Sequence, residues 1–65
     1  MLGDNLRTHR KLSKITQEKL AERAGLSVVF VSLLENGRRT ASFDSLVRIA
    51  KALGVGLEDL VRGIR

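Results

Sequence analysis

The pattern of apolar and polar positions repeats at helical spacing along most of the chain and predicts an all-α fold. The pattern and its boundary residues together predict five short helices, at about 3–12, 17–24, 28–36, 43–53 and 57–62. Only the run VVFV at 28–31 favours a β-strand, because β-branched and aromatic residues are common in strands. The sequence offers no second strand to pair with this run, so it is predicted to be helical as well.

The ends of the second and third predicted helices indicate a helix-turn-helix. Thr16 and Ser27 each precede one of these helices, and their hydroxyl oxygens can accept from backbone N–H groups of the first turn. Gly25 lies between the two helices and can adopt a left-handed turn without steric cost. Two helices joined by so few residues must cross steeply, and Ala21 is small enough to lie at their crossing.

The fourth predicted helix carries a broad apolar stripe that should face the core. It follows Ser42, a third good N-cap residue, and ends at Gly54. The stripe contains Phe43, Leu46, Val47, Ile49, Ala50 and Leu53. With 65 residues in all, these helices are predicted to form one domain that spans residues 1–65.

The net charge of +5, from twelve Lys and Arg against seven Asp and Glu, indicates a polyanionic partner such as nucleic acid. No apolar run approaches the roughly 20 residues that span a bilayer, and no signal-peptide pattern opens the chain. We therefore expect a cytoplasmic protein with no membrane partner.

The candidate chemistry of the chain argues against catalysis. Cysteine is absent, so disulfides and thiolate zinc sites are excluded, and His9 is the only histidine. The sequence has no Gly-rich phosphate loop and no pair of carboxylates in a plausible pocket. We expect no enzyme activity, no metal, no cofactor and no small-molecule substrate.

Three segments resemble the helix-turn-helix domains of the phage repressor and Cro (XRE-like) family, which includes restriction-modification controller proteins. These are TQEKLAERAGLS, LLENGRR and SFDSLVRIAKALGV, and the resemblance covers residues 3–62. It implies a compact five-helix bundle, usually dimeric, whose third helix enters the major groove of double-stranded operator DNA. It also implies a transcriptional regulator, a repressor or controller, that is bacterial or phage-encoded and associated with the nucleoid.

The resemblance further implies a set of phosphate contacts and one buried ion pair. The phosphate contacts are expected at helix N-termini and just after the third helix, where backbone N–H groups and polar side chains meet the DNA. They would be Thr16, Gln17, Ser27, Asn36, Arg38 and Ser42. Arg10 and Glu35 match a pair that joins the first helix to the third.

Four positions depart from the family pattern, and two of them, Ala41 and Gly56, replace the Pro and Ser that are frequent there. Lys14 stands where many members have a glycine that ends the first helix, which predicts a looser helix end. His9 stands where an aliphatic residue is common, and we interpret it as a partly packed residue at the edge of the core.

The third helix is apolar on two faces, which raises the question of what the outer one contacts. A rotation of 100° per residue places Phe30, Val31 and Leu34 on the core side. The opposite face, together with a loop arginine, would supply the base contacts Val28, Val29, Ser32, Leu33 and Arg39. Apolar side chains there could contact thymine methyl groups. Alternatively, the same face could bind a protein, as in an antitoxin-like or coactivator module, or a second copy of the chain.

A dimer would double the number of base pairs that are read, and the C-terminal helix is the candidate interface. A palindromic operator would match such a two-fold homodimer. The apolar residues in and around this helix are Val55, Leu57, Leu60, Val61 and Ile64. The alternative is that all of them belong to the core of a single chain.

Overall fold

The computed structural model describes residues 2–62, which form five α-helices and no strand. The helices are α1 (Leu2–Leu12), α2 (Gln17–Ala24), α3 (Val28–Glu35), α4 (Phe43–Leu53) and α5 (Leu57–Arg62). The predicted all-α bundle is confirmed, and the run VVFV is helical. Helix α1 begins one residue before its predicted start and α3 ends one residue before its predicted end.

Side-chain caps explain why three of the helices begin where they do. Thr16, Ser27 and Ser42 have extended backbones, and each hydroxyl accepts a hydrogen bond of 3.0 to 3.1 Å from the N–H three residues later. Gly25 and Gly54 end α2 and α4 in the left-handed conformation, with φ of 70° and 72°. These local signals fix the helix bounds independently of the core.

The α1–α2 turn contains the one left-handed residue, among residues 2–62, that is not glycine. Lys14 has φ of 59°, a conformation that costs an L-residue with a side chain about 1–2 kcal/mol. Its backbone N–H donates to the carbonyl of Lys11 at 3.0 Å, which closes the turn after α1. The left-handed turn after α1 is therefore made by a lysine.

Each helix contributes one large, fully buried side chain to a single core. These side chains are Leu6, Leu20, Val31, Ile49 and Leu60, in order from α1 to α5. Full burial of an aliphatic side chain of this size stabilises the fold by about 1.5–3 kcal/mol. Within this core α3 packs mainly against α1 and α2, so its orientation depends most directly on these two helices.

Two predictions about apolar residues are wrong. Leu60 was predicted at a dimer interface but has no exposed surface, because it packs among the other core side chains. Phe43 was predicted in the core stripe of α4 but is 71% exposed. Burial along α4 falls from Ile49 and Leu53 back toward its N-terminus, so the first turn of the stripe has little to pack against.

Helix α1 crosses the last turn of α3 at very close range. A Cβ atom on Gly3 would lie 2.5 Å from the carbonyl oxygen of Leu34 and 2.8 Å from that of Glu35. Farther along α1, His9 is half-buried, and its Nε2 lies 3.3 Å from the carbonyl oxygen of Asp59 in α5. No helix within residues 2–62 is long and apolar enough to cross a membrane.

Candidate nucleic-acid interface

Helix α3 is placed by the tight turn that follows α2. Gly25 donates to the carbonyl of Glu22 at 3.3 Å, and Leu26 donates to that of Ala21 at 2.9 Å, which closes the end of α2. Leu26 is half-buried against the core. Ser27 then caps α3, so the direction of the helix is set within three residues of the end of α2.

The two faces of α3 differ in exposure as their positions predict. Val31 and Leu34 are buried, whereas Val29 on the opposite side is 64% exposed and Val28 is 37% exposed. Ser32 and Leu33 are half-buried, so they lie toward the margin of the outer face. The outer face is therefore a small apolar surface centred on Val29.

The loop after α3 carries two exposed arginines beside this surface. Gly37 turns the chain with φ of 73°, and the N–H of Arg38 donates to the carbonyl of Leu33 at 2.9 Å. The guanidinium of Arg39 lies over the half-buried ring of Phe30, 5.5 Å from its centroid, a cation–π contact. Arg39, a predicted base contact, is thus held next to α3.

The three cap residues Thr16, Ser27 and Ser42 differ in whether the hydroxyl can still donate a hydrogen bond to a phosphate. A hydroxyl group that accepts a hydrogen bond can donate another at the same time. The hydroxyls of Thr16 and Ser27 accept from their own helices and are exposed, so each can still donate outward. The hydroxyl of Ser42 already donates to Ser45 Oγ at 3.1 Å, which leaves mainly its helix N-terminus to attract an anion.

The Gln17 side chain points toward the protein interior, although a phosphate contact was predicted to point outward. Its Nε2 donates to Glu35 Oε1 at 3.0 Å, and the residue is half-buried. An amide nitrogen has two N–H groups, so one remains for a ligand. Gln17 therefore connects the N-terminus of α2 to the buried carboxylate of α3.

Glu35 is the buried centre of a charged cluster behind the interface. Arg10 donates to both of its carboxylate oxygens, Nε to Oε2 at 2.6 Å and Nη2 to Oε1 at 3.1 Å, and also to the carbonyl of Ile15. Burial acts to raise the pKa of Glu35, but hydrogen bonds from Arg10, Gln17 and Arg7 outweigh it and lower the pKa. The hydrogen bonds that Arg10 donates to Glu35 raise the pKa of Arg10 despite partial burial. Both groups are therefore charged at neutral pH.

Arg7 is a member of this cluster that the sequence reasoning missed. It donates through Nη2 to Asn36 Oδ1 at 2.9 Å and to the carbonyl of Glu35 at 3.3 Å. The three-residue spacing of Arg7 and Arg10 places both on one face of α1 and was a readable signal. Asn36, a predicted phosphate contact, is thus bound to α1 through Arg7.

The predicted dimer residues do not form a continuous exposed surface. Val55 and Leu57 are half-buried, and Val61 is 49% exposed. Leu60 is in the core, and Ile64 lies outside the described residues. Elsewhere within residues 2–62, no three His, Asp or Glu side chains come together as a metal site would require.

The structure has the features of a DNA-binding helix-turn-helix of the phage-repressor type. These are two helices joined by a tight turn, an exposed outer face on the second helix and polar residues around that face. A family model described as Helix-turn-helix matches residues 6–60, and the chain belongs to this family. It is a sequence-specific DNA-binding transcriptional regulator.

Relatives of this chain include control proteins and phage repressors. It is 39% identical over 62 residues to Control protein C.BamHI of Bacillus amyloliquefaciens, a match that covers 94% of this chain and 76% of the relative. Among solved structures, the restriction-modification controller protein C.AhdI from Aeromonas hydrophila has a TM-score of 0.89 at 32% identity, covering 91% of this chain and 89% of that one. The P22 c2 repressor in complex with a synthetic operator has a TM-score of 0.89 at 30% identity, covering 98% and 97%.

Proposed function

We propose that the protein represses or controls transcription as a homodimer on a palindromic operator, with α3 of each copy in the major groove. The observation that carries this proposal is the exposed apolar face of α3, centred on Val29 and surrounded by groups that can bind phosphate. The similarity to the P22 c2 repressor, whose structure includes operator DNA, supports the same placement of α3. A regulator of chromosomal or phage genes of this kind would act in the cytoplasm, at the nucleoid.

The phosphate contacts would position α3 without reading sequence. The N-termini of α2, α3 and α4 present free backbone N–H groups, and the helix dipole favours an anion there. In this proposal the helix starts contribute Thr16, Gln17, Ser27 and Ser42. Asn36 and Arg38 would contact the backbone on the other side of α3, where both are exposed.

Base recognition would come mainly from apolar contacts. Val28, Val29 and Leu33 would contact thymine C5-methyl groups, the apolar groups displayed in the major groove. Ser32 would add a hydrogen bond at the margin of this face. Arg39, which lies beside Phe30 in the free protein, would supply a further hydrogen bond to a base edge. We therefore expect half-sites with a thymine-rich centre and a contribution from DNA shape.

Selection from a random duplex pool tests this function directly. We expect the protein to enrich a two-fold symmetric site whose half-site centres are about 34 Å apart or a multiple of that distance. Affinity should fall steeply as salt rises, because phosphate neutralisation releases counterions. Enrichment of no duplex, or affinity that does not depend on salt, would instead favour the protein-binding alternative for the outer face of α3.

Val29 and Arg38 should affect DNA binding in different ways. Val29→Ala should relax base preference at one position of each half-site and change non-specific affinity little, because it removes a methyl contact only. Arg38→Ala should weaken binding to all sequences alike and reduce the salt slope by about one per protomer. Affinities of both variants for the selected site and for single-base changes of it provide the measurement. Equal loss on every sequence from Val29→Ala would rule out its role in base recognition.

A further inference from the structure

We propose that Arg7 is a positioning residue for DNA binding, which holds the Asn36 side chain in the orientation that donates to a DNA phosphate. The inference rests on the proposed function, in which Asn36 is a phosphate contact. Arg7 lies on α1, outside the helix-turn-helix, so its effect on DNA would be transmitted through Asn36.

The Arg7 guanidinium connects α1 to three acceptors at the C-terminal end of α3. Its Nη2 lies 2.9 Å from Asn36 Oδ1 and 3.3 Å from the carbonyl oxygen of Glu35. Its Nε lies 3.5 Å from Glu35 Oε1. The planar, forked shape of guanidinium allows one side chain to face these acceptors together, which an ammonium group cannot do in the same geometry.

The contact with Arg7 determines which way the Asn36 amide faces. Guanidinium has donors and no acceptor, so the Asn36 atom that faces it must be the oxygen. The amide nitrogen then points away from Arg7, and Asn36 is exposed. Both of its N–H groups are therefore available to a phosphate, and fixing the amide in advance lowers the entropy cost of binding.

The fold does not depend on Arg7 to neutralise the buried carboxylate. Glu35 keeps two hydrogen bonds from Arg10 and one from Gln17, at 2.6, 3.1 and 3.0 Å, when Arg7 is removed. The Arg7 side chain is 39% exposed, against 13% for Arg10. Arg10 thus neutralises the buried carboxylate, and Arg7 can orient Asn36 without being needed for that role.

A double-mutant cycle with a charge-preserving substitution tests the proposal. Arg7→Lys is made alone and together with Asn36→Ala, and affinity is measured on the duplex that the wild-type protein selects, at several KCl concentrations. Arg7→Lys should weaken binding about three- to tenfold, the equivalent of one hydrogen bond. It should have no further effect in the Asn36→Ala background, and the salt slope should stay the same because the charge remains.

The control is Arg23→Lys, the same substitution at an exposed arginine of α2 outside the candidate interface, and it should leave affinity unchanged. Thermal denaturation checks that all variants stay folded at the assay temperature. An equal loss from Arg7→Lys in both backgrounds would mean that Arg7 does not act through Asn36, and no loss would mean that holding Asn36 does not require the guanidinium of Arg7. Either result overturns the proposal. Failure of the wild-type protein to select any duplex would instead refute the proposed function, and this inference with it.

Discussion

Glu35 contributes both to the stability of the fold and to the arrangement of the candidate interface. It is 2% exposed and accepts hydrogen bonds from Arg10 on α1 and Gln17 on α2. Removal of Arg10 would leave a buried charge without its main partner, at a cost of about 3–5 kcal/mol. The same carboxylate orients Gln17, so disturbance of the buried pair should also disturb a proposed phosphate contact.

Acidification should remove the stability that charged Glu35 contributes. Because the pKa of Glu35 in the folded protein lies below its ordinary value of 4.5, the unfolded chain takes up a proton at higher pH than the folded one. The contribution is therefore complete above about pH 4.5 and is lost as the pH falls through the folded-state pKa. Thermal midpoints between pH 7 and pH 3 should show Glu35→Gln well below wild type at pH 7, with the gap narrowing toward pH 3.

Glu58→Gln is the matched control for this titration, because Glu58 is an exposed carboxylate on α5. Its midpoint should follow that of the wild-type protein across the whole pH range. A gap between Glu35→Gln and wild type that stays constant from pH 7 to pH 3 would contradict the prediction, since it would mean that protonation of Glu35 does not limit acid stability.

Part of the charged cluster could be predicted from the sequence and part could not. The resemblance to phage repressors suggested the pair of Arg10 and Glu35, and the structure contains it. Arg7 lies three residues before Arg10 on the same helix face, so a second arginine near Glu35 could have been expected. That Arg7 also reaches Asn36 depends on the distance between α1 and α3, which no local pattern encodes.

At the scale of the elements, the distance between α1 and α3 depends on a glycine. The sequence predicts a first helix from about residue 3, which would make Gly3 its first residue. The structure places it inside α1, where its missing side chain allows backbone contact with the carbonyls of Leu34 and Glu35. Glycine is a poor helix former, so its presence in α1 is explained by this packing requirement rather than by helix stability.

Gly3→Ala should destabilise the protein although alanine favours helices. The new Cβ would lie 2.5 and 2.8 Å from two backbone oxygens, which cannot rotate away as a side chain could. We expect the measured free energy of unfolding to fall by about 1–3 kcal/mol. Helix propensity alone would predict the opposite, a rise of about 1 kcal/mol. Urea unfolding of the purified variant provides the measurement.

Gly56→Ala is the control for the contact at Gly3. Its Cβ would lie 3.3 Å from Asp59 Oδ2, a side-chain atom that can move, so the free energy of unfolding should change by no more than about 0.5 kcal/mol. A stability gain from Gly3→Ala would show that α1 and α3 are farther apart than in the structure.

The ends of the helices were easier to predict from the sequence than the helices that each of them packs against. Caps and glycines act within one turn, so Thr16, Ser27 and Ser42 placed three helix starts correctly from the sequence. Periodicity identifies which side of a helix is apolar, but not whether another helix covers it. Phe43 and Leu60 show the two resulting errors, since one expected core residue is exposed and one expected surface residue is buried.

At the scale of the whole molecule, a dimer could form through either of two surfaces, each with one exposed valine at its centre. Val61 lies on α5, the candidate dimer interface predicted from its apolar residues, and it is 49% exposed. Val29 lies on the outer face of α3 and is 64% exposed. If two copies met through α3, neither recognition helix could enter a major groove, so the location of the dimer decides between the DNA-reading and protein-binding interpretations of α3.

Two matched substitutions separate these possibilities. Val61→Glu should raise the dimer dissociation constant by about tenfold or more, because the interface would bury an unpaired charge, and should weaken binding to a two-half-site duplex. Val29→Glu should leave the dimer intact and abolish operator binding, because it places a carboxylate against the bases and phosphates. Both positions are exposed, so neither change should unfold the chain. Sedimentation at several concentrations, with and without the selected duplex, measures both effects. Loss of the dimer from Val29→Glu alone would assign α3 to protein contact and overturn its role in the major groove.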